Sequence, residues 1–173
     1  PSGRYFKDGL AGVAIWVERE YHRAGPGGTG SAKAGGNYAA SLLPQIQAEA
    51  RGFSQVCFLD TYEGRYLEEL GGMNMFVVMA DGTVRTPELS GVILEGGTRS
   101  AILRMLRDEG VDVREEKIAL SEVVDGIRSG AVAEVFACGT AAVVTPITRL
   151  GGDDFDVEIE VGEKTREIHK RLT

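Results

Sequence analysis

Lys33 lies in the run GTGSAKAGGNYAASLL, with Gly28, Gly30, Gly35 and Gly36 around it. Glycine lets a backbone take positive φ and pass close to a ligand. A lysine amine in a dry, shaped site can shed its proton and attack an aldehyde, forming a Schiff base. The plainer alternative is a surface lysine in a flexible Gly/Ser loop. Two nucleotide readings of the loop fail on spacing. A phosphate loop needs G-x-x-x-x-G-K-[ST], with lysine directly after glycine. Here Lys33 is three residues past Gly30, and Ala34 follows it. A dinucleotide fingerprint needs G-x-G-x-x-G directly after a strand, which Gly25, Gly27, Gly28 and Gly30 do not supply.

Two turns could hold an anion. In EGGTR, Gly96 and Gly97 permit a tight turn and Thr98 opens a predicted helix. Helix N-termini present unpaired N–H groups and a favourable dipole to phosphate. In ACGTAA, Gly139, Thr140 and Ala141 can aim successive amides and a hydroxyl at an oxyanion. Taken singly, the first is also an ordinary connection with Thr98 as N-cap, and the second an ordinary hairpin turn. Glu68 and Glu69 precede a glycine pair and an apolar strand. Neighbours on an extended chain face opposite ways, so one of the two faces inward and needs a partner. A protonated heteroaromatic nitrogen would serve; a solvated hairpin tip is the alternative. Pyridoxal 5′-phosphate asks for all three parts: a lysine for its aldehyde, an anion cup for its phosphate and an acid on its pyridinium nitrogen. The acid keeps the ring able to accept electrons when a substrate's α-carbon loses its proton.

These residues must be held by the elements between them. Val13, Ile15 and Val17 alternate with other residues, so 11–19 reads as a strand. Residues 25–36 are a loop. A helical pattern covers 37–51, with Tyr38, Leu42 and Ile46 at four-residue spacing and Gly52 placed to stop it. Pro44 conflicts with that helix and predicts a kink or a restart. Residues 55–60 are a short apolar strand, and Asp81-Gly82 between two apolar runs predicts a hairpin. Residues 91–110 read as strand, tight turn and a helix from Thr98 to Glu109, with Ile102, Leu103 and Leu106 as its apolar face. Residues 111–118 are a strand, and Ser121 caps a short helix running to Ser129. Residues 133–150 are strand, glycine turn, strand, and a last amphipathic helix covers 163–172. Hairpins mixed with helical crossovers give an α/β (α+β) chain with a mixed sheet rather than strict βαβ alternation.

Composition narrows the function. The 173 residues, 43% hydrophobic, suffice for one domain with a real core. A net charge of −7 argues against a nucleic-acid surface, which needs basic groups to meet phosphates. Cys57 and Cys138 form no CxxC pair and are too few for a disulfide framework, which predicts a reduced, cytoplasmic protein. His22 and His169 are isolated, so metal-ligand spacing is lacking. No apolar run approaches the roughly 20 residues of a membrane span. The chain begins PSGRYFKDGL, without initiator methionine or signal-peptide pattern, and reads as though it starts within a longer protein.

The stretches RAGPGGTGSAKAGGNYAASL, YLEELGGMNMF, TPELSGVILEGGTR and EVFACGTAAVVTP span most of residues 5–150. In order and spacing they resemble the branched-chain amino acid aminotransferases, pyridoxal-phosphate enzymes of fold type IV. The resemblance implies a mixed-sheet pseudo-barrel with flanking helices. Residues 1–173 would be the C-terminal, cofactor-binding domain, with the family's N-terminal small domain absent from them. Lys33 matches the catalytic lysine that forms the aldimine and shuttles the proton between the substrate's α-carbon and the cofactor's C4′. Tyr38 matches the tyrosine on the phenolic oxygen, and Glu69, rather than Glu68, the partner of the pyridine nitrogen. Gly97 and Thr98 match the phosphate turn, Leu94 the residue packing under the ring, and Arg23 an arginine lining the cofactor site. Thr140 and Ala141 match the turn serving the phosphate and the substrate carboxylate, and Asn74 braces the site from behind. Three departures stand out. Gly72 replaces a frequent threonine. The redox CxxC of some members would fall at Ala142 and Thr145. The missing domain would carry a further phosphate-binding arginine and much of the substrate pocket. The implied activity moves the amino group of L-leucine, L-isoleucine or L-valine to 2-oxoglutarate, in a homodimer, with no nucleic-acid or membrane partner. Within the fold type, a D-amino acid aminotransferase or an aminodeoxychorismate lyase is the alternative, against which GGNYAASL and GGMN argue. A folded fragment that does no chemistry alone is a third.

Overall fold

The computed structural model describes residues 10–173. In chain order the elements are β1 (Val13–Glu18), α1 (Gly35–Ala50), β2 (Gln55–Leu59), β3 (Leu67–Leu70), β4 (Asn74–Met79) and β5 (Val84–Pro87). Then come α2 (Gly97–Asp108), β6 (Val113–Glu116), α3 (Leu120–Ser129), β7 (Val132–Gly139), β8 (Val143–Gly151), β9 (Asp156–Glu158) and α4 (Glu163–Leu172). Alternation along four central strands decides how they pack. Ile15, Val17, Cys57 and Leu59 enter one core, while Trp16, Val56 and Phe58 enter another. Likewise Met75, Val77, Val135 and Ala137 face the first core, and Phe76, Val78, Phe136 and Cys138 a third. Strands apolar on both faces must be covered on both faces.

The sheet runs β3-β2-β1-β8-β7-β4-β5-β6, with β9 on β8. Parallel pairs (β1 with β2, β1 with β8, β5 with β6) mix with antiparallel ones. Residues 118–120, just past β6, meet the opposite edge. Tyr66 bridges Ala119, Leu67 N–H donates to Ile118 O at 2.9 Å, and Leu120 N–H donates to Arg65 O at 2.9 Å. The sheet therefore curls until its edges touch, which is the expected mixed-sheet pseudo-barrel. The first core fills its inside, joined by Val123 and Val124 of α3. Outside, Ala48 of α1 covers β1 and β2, while Ile102, Leu103 and Leu106 of α2 and Ile168 of α4 cover β4 and β7. Glu134 on β7 reaches across to cap α4. Its carboxylate accepts from Lys164 N–H (3.0 Å), Thr165 N–H (2.8 Å) and the Thr165 hydroxyl (2.6 Å).

Several expectations change. Pro44 neither kinks nor restarts α1, which runs through it unbroken. The carbonyl that loses its helical partner belongs to Ala40, an exposed residue, so water can serve it. The stripe Tyr38, Leu42 and Ile46 is not the buried face. Leu42 is 63% and Ile46 62% exposed, and α1 docks instead through Asn37, Ser41, Pro44 and Ala48. Small side chains let the helix sit close to the sheet. Thr98 and Ser121 are not caps: Gly96 and Ala119 hold those positions, without side-chain hydrogen bonds. Residues 91–95 form no strand. Their backbone groups bond to side chains instead of a ladder, as described next. Among the described residues, no helix is long and apolar enough to cross a membrane, and no cluster of His, Cys, Asp or Glu is set to hold a metal.

Candidate active site

Glu69 forms the floor of the site. It is 4% exposed, and burial pushes its carboxyl up to about 7, against the pull of Arg23. Arg23 Nη2 lies 2.5 Å from Glu69 Oε1, and the same oxygen accepts from Leu94 N–H at 2.8 Å. Glu69 Oε2 has no hydrogen bond among the described residues. Glu68 is half-buried; burial, then the charges of Asp60 and Glu69, push it up to about 7 as well. The inward carboxylate is therefore Glu69.

A strap of residues 88–96 joins β5 to α2 and is pinned to this floor. Arg23 Nη2 donates to Val92 O (2.6 Å), Glu69 takes Leu94 N–H, and Asn74 Nδ2 donates to Leu94 O (2.9 Å). The strap delivers the chain to Gly97 and Thr98, which open α2. No side chain caps that helix, and the Gly97 and Thr98 amides have no acceptor among the described residues. Orphan first-turn amides are what an anion uses.

The lysine loop is tied to the same strap. Arg23 Nη2 also donates to Gly30 O at 2.8 Å, and Gly30 packs so tightly on Val92 that a Cβ there would overlap its backbone. Asn37 fastens the loop to α1. Its Nδ2 donates to Thr29 O (2.8 Å) and Ala32 O (2.9 Å), and its Oδ1 accepts from the Thr29 hydroxyl (2.8 Å). Lys33 follows directly, exposed and without a hydrogen bond or ion pair among the described residues. Gly35 and Gly36 meet nothing, so close approach is the role of Gly30 alone among these three glycines.

A family model described as amino-transferase class IV matches residues 14–150. The chain belongs to the class IV aminotransferase family. It is 49% identical over 179 residues to a branched-chain-amino-acid aminotransferase of Mycobacterium tuberculosis, covering 100% of this chain and 49% of that relative. The chain thus spans about half the length of the curated relatives it matches. Among solved structures, the branched-chain amino acid aminotransferase of Escherichia coli superposes with a TM-score of 0.83 at 30% identity, over 99% of this chain and 54% of that one. A T.th. branched-chain amino acid aminotransferase complexed with N-(5′-phosphopyridoxyl)-L-glutamate gives 0.76 at 30% identity, over 92% and 50%. The resemblance read from the motifs is therefore borne out.

The remaining positions matched to the family flank the floor. A Cβ on Gly72 would sit 3.9 Å from Tyr38 Cε1, so the Tyr38 ring lies over the glycine that replaces threonine. Gly139 lies on the other side of that turn, its Cβ position 3.6 Å from Gly72 O. Thr140 and Ala141 follow in the exposed β7–β8 turn. Val143, just beyond, takes a φ of 56°, a strained choice for a β-branched residue. Arg23, Glu69 and Leu94 touch directly. Gly97 and Thr98 connect to them along the strap; Tyr38 lies beside Gly72, and Thr140 and Ala141 follow Gly139, which also meets Gly72. Arg23 is buried, and its Nη2 meets Glu69, Gly30 and Val92, so it braces floor, loop and strap together. Sequence reasoning passed over Asn37 and Arg99. Asn37 carried a signal, an amide with donors and acceptor at the junction of glycine loop and helix. So did Arg99, a cation in a helix's first turn, where the dipole disfavours it.

Proposed function

We propose that this chain is the cofactor-binding part of a pyridoxal 5′-phosphate-dependent branched-chain aminotransferase. It would transfer the amino group of L-leucine, L-isoleucine or L-valine to 2-oxoglutarate. The observation that carries the reading is Glu69: a buried carboxylate with one oxygen committed to Arg23 and Leu94 and the other without a hydrogen bond among the described residues, strapped to a helix start that no described side chain caps. That arrangement fits a cationic ring nitrogen at one end of a molecule and a phosphate at the other. The names borne by the relatives supply the substrate class.

When bound, the cofactor supplies an electron sink for a substrate's α-carbon. The residues do the rest. Lys33 Nζ takes up and returns the α-proton, exposed on its loop where substrate can reach it. Glu69 Oε2 holds the proton of the ring nitrogen, and burial keeps that exchange out of water. Tyr38 would donate to the phenolic oxygen, and Leu94 would pack against the ring. The Gly97 and Thr98 amides and the Thr98 hydroxyl bind phosphate. Thr140 and Ala141 serve the phosphate and the substrate carboxylate. The open face over Lys33, Tyr38 and Thr140 is closed by a further domain in this reading, and the exposed Leu42 and Ile46 stripe is covered in a cytoplasmic homodimer.

The test is a substrate panel on the full-length protein. L-leucine, L-isoleucine and L-valine are expected to react with 2-oxoglutarate, and Lys33→Ala to abolish the reaction. Activity on D-alanine with none on L-leucine overturns the reading in favour of a D-amino acid aminotransferase.

A further inference from the structure

Arg99 stands in the first turn of α2 at 2% exposure. Its Nη2 donates to Pro87 O at 3.0 Å and to Glu115 Oε2 at 2.8 Å. Pro87 ends β5 and Arg99 lies in the first turn of α2, so the first bond closes the strap at its neck. The middle of the strap is held by Arg23, Glu69 and Asn74. The separation between Glu69 and the free amides of Gly97 and Thr98 is therefore set by bonds at both places.

Stability does not account for a guanidinium here. A cation at a helix N-terminus opposes the dipole. Arg99 Nε is buried without a partner among the described residues, which carries an uncompensated desolvation cost. Buried ion pairs seldom outperform a well-packed apolar replacement. Glu115 would not be stranded by its loss, because Arg107 Nη2 also donates to it, at 2.8 Å. The charge is felt at the floor, however. Burial raises Glu69 and Cys138, and Arg99 pulls both back.

We propose that Arg99 is a positioning residue for the phosphate end of the cofactor: it fixes the first turn of α2 relative to Glu69 and places a guanidinium there whose carboxylate partner, Glu115, is shared with Arg107. This rests on the cofactor reading above. A positioning role at one end predicts a selective effect, which a merely structural role does not.

The experiment titrates full-length apoprotein with pyridoxal 5′-phosphate and with pyridoxal, which lacks the phosphate, following absorbance. Arg99→Met is expected to weaken pyridoxal 5′-phosphate about tenfold, the scale of one lost charge-assisted contact, and pyridoxal less than about twofold. Arg99→Lys keeps the charge on a shorter, unforked side chain that reaches Pro87 and Glu115 less well, so it is expected to fall between. It carries the same selectivity test if Arg99→Met fails to fold. Equal loss of both ligands, or loss of neither, overturns the proposal alone. Wild-type protein that binds neither ligand overturns the cofactor reading and this proposal with it.

Discussion

Arg23 Nη2 and Glu69 Oε1 lie 2.5 Å apart, each side chain 5% exposed, and the same guanidinium nitrogen holds the carbonyls of Gly30 and Val92. One cation thus joins the carboxylate, the lysine loop and the strap. Burial nevertheless pushes Glu69 up from 4.5 to about 7. A raised carboxyl binds its proton more tightly in the folded chain than in the unfolded one. Between about pH 4.5 and 7 the folded state holds more protons, so the stability this group contributes falls as pH rises through that window and is level above it. Glu68, also raised to about 7, slopes the same way. Glu69→Gln removes the contribution of the more deeply buried of the two. Urea midpoints of the apoprotein at pH 5 and pH 8 measure the change. The loss between them is expected to shrink by at most about 3 kcal/mol, one unit being about 1.4 kcal/mol. An unaltered pH dependence would show that Glu69 titrates normally.

Asn37 is expected to govern the lysine loop without touching substrate. Its amide holds Thr29 O, Ala32 O and the Thr29 hydroxyl, and the side chain is buried. Asn37→Ala leaves two carbonyls short of a donor, at about 1–3 kcal/mol in total stability. Asn37→Asp is expected to be worse, since it loses both donors and sets a negative charge against carbonyl oxygens. Hydrogen exchange should accelerate at residues 29–33 in both variants and stay unchanged in β4 and β7. Uniform acceleration across the chain would mean that Asn37 supports the whole fold rather than the loop.

Alternation and apolar runs made several barrel strands legible: Val13, Ile15 and Val17 alternate in VAIWVE, and NMFVVM is one of the two apolar runs that flank Asp81-Gly82. The hairpin at Asp81-Gly82 was equally plain: Gly82 takes a φ of 90°, and Thr83 N–H donates to the Asp81 carboxylate. What local pattern could not reveal were choices made by tertiary partners. The α1 periodicity located an apolar stripe but not which face meets the sheet. Residues 91–95 have a strand's composition, yet Arg23, Glu69 and Asn74 claim their backbone groups. In the candidate site, Glu69 was separable from Glu68 only through the family resemblance, and burial now separates them physically. Arg99 bonds to Pro87 and Glu115, which lie on other strands, and Asn37 to a glycine loop whose path the local pattern leaves open.

The glycines around Lys33 divide into two kinds, and substitution distinguishes them. At Gly30 a Cβ would overlap Val92 O, Cα and C, all backbone atoms that cannot swing aside. Arg23 holds both carbonyls at that contact, so pushing them apart also breaks the bridge to Glu69. Gly30→Ala is therefore expected to cost more than about 2 kcal/mol, in the range of core overpacking, and to weaken cofactor binding. Gly35 is different. It is the first residue of α1, its φ is not positive, and a Cβ there meets nothing. Gly35→Ala removes unfolded-chain entropy at no steric cost and is expected to stabilise by up to about 1 kcal/mol. Thermal midpoints of the two variants, with pyridoxal 5′-phosphate titrations alongside, decide it. If Gly30→Ala is as well tolerated as Gly35→Ala, the lysine loop does not rest on the strap, and its link to Glu69 through Arg23 is not what holds Lys33 in place.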